Sequence, residues 1–116
     1  MRNPVDRNAE RLRHIADAIN QIHEFAHEIS EFEFTRNALI NNAILYQFTI
    51  IGEAIVHVDD KILAKFDYPW YKVRAFRNLI AHEYFGIQLS AVWAVVQKDL
   101  PGLKAIIDTI LENEKL

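Results

Sequence analysis

The chain has no cysteine, which excludes a disulfide scaffold, a thiolate metal site and a cysteine nucleophile together. It holds three glycines and three prolines among 116 residues, too little turn material for an all-β sandwich or barrel. No run of 18 uncharged residues occurs, so no membrane span is expected. The N-terminus carries Arg2, Asp6, Arg7, Glu10 and Arg11 with no apolar stretch behind them, which speaks against a secretory signal. Excess positive charge is missing as well. The net charge is −3, whereas a protein held on nucleic acid by phosphates alone is basic overall. Any RNA contact therefore needs a local positive site. Apolar residues are plentiful, at 51% of the chain against 25% charged, which excludes a disordered tail. The expectation is one cytoplasmic, helical domain over residues 1–116, because a chain this short has no room for two cores.

Helical periodicity organises what is there. Asn3 as cap, Pro4 in the first helical position and Asp6 in the first turn predict a helix start. Leu12, Ile15, Ile19, Ile22, Ala26 and Ile29 then recur at helical spacing, so this helix is expected to reach Ile29. Glu31 to Phe34 reads as a connector, with Thr35 capping a second helix from Arg36 to Val58. That second helix is apolar on more than one side, as at the centre of a bundle or beneath a partner chain. Asp59 to Tyr68 reads as irregular, with room for a short turn of its own. A third helix starts at Pro69 and stops near Gly86. Ser90 can cap a fourth, and Asp99-Leu100-Pro101-Gly102 is expected to break it from a last helix beginning at Leu103. The sum is an all-α, antiparallel bundle of four to five helices.

Two motifs compete for the chemistry. His23-Glu24-Phe25-Ala26-His27 fits the H-E-x-x-H pattern, in which two imidazoles share a helix face and the glutamate serves as base. Arg77-Asn78-Leu79-Ile80-Ala81-His82-Glu83-Tyr84 is an Arg-x4-His-x-Tyr arrangement. Shuffling alone produces either bare pattern in roughly one chain in sixty to a hundred, so context decides. For zinc the context is poor. His23 lies at the edge of its helix's apolar stripe and His27 further out, both toward water. A third ligand would have to come from Glu53 or His57 on the second helix, which nothing in the spacing demands. Surface histidines are the plainer reading of that pair.

The second motif sits in richer surroundings. Arg77 and Tyr84 share a face with Ile80, and Asn78 shares another with His82. Arg77 and His82 are five residues apart, about 140° around an ideal helix. They can converge only where the helix is ending, or across a two-fold axis that brings in a second copy. Pro69 to Phe85 carries Lys72, Arg74 and Arg77 against Glu83 alone, a local +2 that suits a phosphate despite the acidic whole.

These residues carry a resemblance. Pro69-Trp70, Arg77 through Ile87, Trp93 and Asp99-Leu100-Pro101, with Ile51-Gly52-Glu53-Ala54 on the second helix, are similar to the HepT-like branch of the HEPN-domain proteins. The similarity spans nearly the whole chain. It implies a small α-helical homodimer, the toxin of a type II/VII-like toxin–antitoxin pair, acting as a metal-independent endoribonuclease without cofactor. The partner it implies is a minimal nucleotidyltransferase antitoxin of the MntA type. That antitoxin attaches AMP to the tyrosine of the motif, which corresponds to Tyr84.

On this expectation His82 moves a proton, since imidazole titrates near neutral pH. Arg77 supplies paired donors and permanent charge to the phosphate; its plainer role is an ion pair with a carboxylate such as Glu53. Asn78 is expected to orient His82, one turn on. Glu53, in an apolar helix, is expected to be buried and to support the motif helix through a partner. Lys72 and Arg74 are candidate RNA contacts, and Trp70 and Trp93 candidate core or dimer anchors. The rival from another class is a non-catalytic helical module that accompanies a nucleotidyltransferase and binds nucleotide or RNA through the same residues.

Overall fold

The computed structural model describes residues 4–114; the cap expected at Asn3 and the side chains of Val5 and Asp6 lie outside the described residues. Everything regular among the described residues is helical. In chain order the elements are α1 (Pro4–Ala26), α2 (Glu31–Arg36), α3 (Ala38–Val56), α4 (Asp60–Leu63), α5 (Trp70–Glu83), α6 (Leu89–Ala94) and α7 (Leu100–Asn113). A π-helical turn, Val95–Asp99, joins the last two. The architecture is the expected all-α bundle.

Its core is built where the helical stripes meet. Leu12, Ile15 and Ile22 of α1, Ile44, Ile51 and Ile55 of α3, and Ile107 and Ile110 of α7 are all but inaccessible to water, each stabilising by about 1.5–3 kcal/mol relative to exposure. α1 and α3 run antiparallel: the Asp59 N–H, just past α3, donates to Oδ1 of Asn8 near the start of α1 at 3.0 Å. α5 returns along α3, also antiparallel, and packs Phe76 edge-on against Phe48 with ring centroids 4.9 Å apart. Trp70 anchors its start, buried, with Nε1–H donating to the Leu63 carbonyl at 3.0 Å.

α3 is long and apolar enough to cross a membrane by length and composition, but 44% of that stretch is buried against the other helices. It is the central helix of the bundle.

Three local expectations are corrected. First, α1 ends at Ala26 and not Ile29, because Glu28 adopts a left-handed backbone (φ 62°) that turns the chain off the helix axis. Second, the stretch read as a connector is a short helix, α2. Ser30 and Glu33 form a capping box, the Ser30 hydroxyl accepting from the Glu33 N–H at 3.1 Å, and buried Phe34 ties α2 to Trp93 at 5.2 Å. Asn37, not Thr35, then caps α3, its side chain accepting from Ile40 N–H at 3.2 Å; the Thr35 hydroxyl donates back to Phe32 instead. Third, Asp99 to Gly102 is no break, and Ser90 lies inside α6. Leu100 N–H bonds to the Val95 carbonyl five residues back, a π register that absorbs the missing N–H of Pro101 and lets the helix continue.

Candidate active site

Gly52 brings α5 against α3. A Cβ at this position would overlap Cβ and Cγ of Arg77, so only a glycine lets the base of that side chain lie on α3. From there the guanidinium turns back along the rim. Nη2 donates to Glu53, the residue after Gly52, and Nη1 donates to Oδ1 of Asn78 at 2.9 Å. Arg77 Nε is buried without a hydrogen-bond partner among the described residues. The plainer role foreseen for Arg77, an ion pair with Glu53, is therefore present in the single chain. Glu53 itself is half exposed and not buried, with 50% of its side chain accessible against 33% for Arg77. It stands at the edge of the buried arc of α3, where water screens much of the pair's energy. Its contribution is geometric, fixing where the guanidinium points.

Asn78 is also repositioned. The side chain expected to orient His82 accepts from Arg77 instead. His82 is exposed and, among the described residues, its imidazole makes no hydrogen bond, ion pair or ring contact. α5 remains helical through Glu83, so Arg77 and His82 stay about 140° apart around its axis. The backbone is regular up to Glu83, so the two side chains do not converge at the helix end within the single chain. Tyr84 follows directly, still with helical backbone angles, and is 41% exposed. Its hydroxyl donates to Oδ1 of Asn42 on α3, and Phe85, fully exposed, packs edge-on against its ring at 5.5 Å.

The candidate RNA contacts divide. Arg74 is held by Asp60 of α4 at 3.2 Å. Lys72 is exposed and borders a cavity of about 420 Å3 between α3, α5 and α7, with Lys98 on the other side. Burial, and then the Asp99 carboxylate, push the Tyr68 phenol in that cavity above its ordinary range.

Among the described residues the H-E-x-x-H pair finds no third ligand. His23 and His27 are exposed with rings 5.7 Å apart, and His27 leans toward Glu28 at 3.5 Å. His57 caps the far end of α3, opposite Asn8, some 15 residues and therefore about 22 Å along α1 from His23. The surface hollow beside the pair is shared with Lys104, whose ammonium opposes a cation. No cluster of three or more metal-ligating residues occurs among the described residues.

Two contributors went unread in the sequence. Gly52 was visible as part of a pattern, but its role as the seat of Arg77 depends on which helix lies above it. Asn42 carries no motif signal at all, being 42 positions from Tyr84.

A family model described as Ribonuclease HepT-like matches residues 15–110. A protein of Thermococcus cleftensis named as a probable ribonuclease HepT is 35% identical over 95 residues, covering 80% of this chain and 86% of its own. A Methanocaldococcus jannaschii protein named as a candidate RNase, MJ1380, is 32% identical over 100 residues, covering 85% and 92% respectively. A second protein of that archaeon, MJ0434, named as a gamma-glutamylcyclotransferase and candidate RNase, is 33% identical over 103 residues, 88% of this chain. The chain spans about half, 46%, of the length of that relative. No solved structure matches.

Proposed function

The chain belongs to the HepT-like ribonuclease family, and on that premise we propose that it is a metal-independent endoribonuclease, cytoplasmic and homodimeric, built from one domain over residues 1–116. One observation carries this reading. Arg77 is seated on α3 while His82 stands exposed, without a polar partner among the described residues, on another side of the same regular helix. One α5 cannot aim both at a single phosphodiester; two α5 helices facing each other can. Exposed apolar side chains away from Tyr84 support a second copy: Tyr71 at 68% and Leu79 at 45% on α5, and Val56 at 55% on α3. Large exposed apolar side chains of this kind fit an interface.

In the proposed cleft the ribose 2′-oxygen bonds to the neighbouring phosphorus and the bond to the 5′-oxygen breaks. His82 takes the 2′-hydroxyl proton or supplies one to the departing 5′-oxygen. Arg77 stabilises the charge that shifts onto the phosphate oxygens. Glu53 and Asn78 support it by holding the guanidinium, and Lys72 and Arg74 extend the positive surface toward the RNA. The chain is then the toxin of a type II/VII-like toxin–antitoxin pair, silenced when an MntA-type nucleotidyltransferase antitoxin transfers AMP to Tyr84. A phosphate and its nucleoside on that exposed phenol would crowd Arg77 and compete with RNA.

A second reading has an observation in its favour: both Nη atoms of Arg77 already have protein acceptors. On that reading the chain is a non-catalytic module that accompanies a nucleotidyltransferase and binds nucleotide or RNA. RNA cleavage by the unmodified protein in EDTA, with His82→Ala beside it, separates the two. Cleavage by the parent alone supports the ribonuclease; cleavage by neither, once intact mass shows Tyr84 free of AMP, supports the binding module.

A further inference from the structure

The contact between Tyr84 and Asn42 belongs to no part of the mechanism above. Tyr84 sits where α5 ends, so its ring hangs from the last turn, and a phenol there has freedom to sweep through solvent. Two groups remove that freedom. Phe85 packs edge-on against the ring, and Asn42 of α3 accepts the hydroxyl proton. Asn42 is an exposed carboxamide on a strip of α3 whose neighbours one turn before and after, Leu39 and Tyr46, are exposed and largely apolar. Among those three side chains, it alone can accept this bond with an amide oxygen. The bond also has a direction. With its proton turned toward α3, the phenolic oxygen presents its lone pairs elsewhere.

We propose that Asn42 is a positioning residue for Tyr84, fixing the phenolic oxygen as the acceptor of a nucleotidyl group. This rests on the reading of Tyr84 as a modification site. In the transfer, the Tyr84 oxygen bonds to the α-phosphorus of a nucleoside triphosphate and the bond to the β-phosphate bridging oxygen breaks. Pyrophosphate leaves, and the phenolic proton passes to a general base of the nucleotidyltransferase. Holding the attacking atom in place lowers the entropic part of that barrier. Once esterified, the oxygen has no proton to donate, so the bond to Asn42 Oδ1 exists only in the unmodified chain.

The test has two arms on the full-length, unmodified protein. In the first, the ring signals of labelled tyrosine are followed by NMR, with Tyr84 assigned from Tyr84→Phe. Asn42→Ala removes the acceptor, so the Tyr84 ring signals move from their parental positions; unmoved signals overturn the contact. In the second, AMP transfer from ATP by the nucleotidyltransferase partner is timed. Asn42→Ala is expected to lower kcat about tenfold while KM changes less than about twofold, the signature of lost alignment. Equal kcat in parent and Asn42→Ala overturns the positioning role and leaves Tyr84 as acceptor. No transfer to the parent chain overturns both.

Discussion

The two histidine motifs of this chain teach opposite lessons about spacing. His23 on α1 and His27 just past its end hold their rings 5.7 Å apart as a metal pair should, yet among the described residues their surroundings offer a lysine and no third ligand. Arg77 and His82 lie on different sides of α5, yet one is seated against a glycine on the next helix and the other is held free at the surface. Regular spacing on one helix brings side chains near each other. A site also needs what the neighbouring helices place opposite them, and only the second motif has that.

The sharpest way to break the contrast is to remove an imidazole from each motif. His82→Ala should lower RNA cleavage by about 10²–10⁴-fold with the thermal transition unchanged, because the side chain is exposed and has no polar partner among the described residues. Retained cleavage in this variant sinks the assignment. Next in size, Gly52→Ala forces a methyl group into the base of Arg77. Overpacking of this kind costs about 1–3 kcal/mol, so Tm in a calorimetric scan should fall by several degrees and cleavage with it. An unchanged Tm would mean that α3 and α5 can separate freely, against the fit described here. Glu53→Gln removes the charge beside Arg77. For a pair this exposed, denaturant unfolding should register about 1 kcal/mol or less; a loss of several kcal/mol would show the pair to be a structural mainstay. Smallest of all, the double variant His23→Ala/His27→Ala should cleave RNA at the parental rate, and a marked loss would return weight to α1.

Much of the fold was legible because it rests on periodicity. The stripe through Leu12, Ile15, Ile19 and Ile22 became the buried face of α1, and Trp70 became a core anchor as one of its two expected uses. The misreadings share a cause. Ser30, Glu33 and Asn37 act through cap hydrogen bonds, and the Ser30-x-x-Glu33 capping box was there to be read. The π turn ahead of Pro101 was not, because a proline that normally ends a helix is tolerated only when the register before it shifts.

The candidate site divides along the same line. The identity of Arg77, His82 and Tyr84, and the angle between the first two, follow from residue order on one helix, since α-helical geometry converts spacing into direction. The distant partners of Arg77 and Tyr84, Glu53 and Asn42, come from α3, 24 and 42 positions away. No local pattern encodes such distances. Glu53 was expected to be buried and stands at the rim; Asn78 was expected to serve His82 and serves Arg77; Asn42 was not foreseen at all. Each depends on how two helices settle against one another, and that is decided by the packing of Gly52, Phe48 and Phe76 between them, a contact that exists only once the chain has folded.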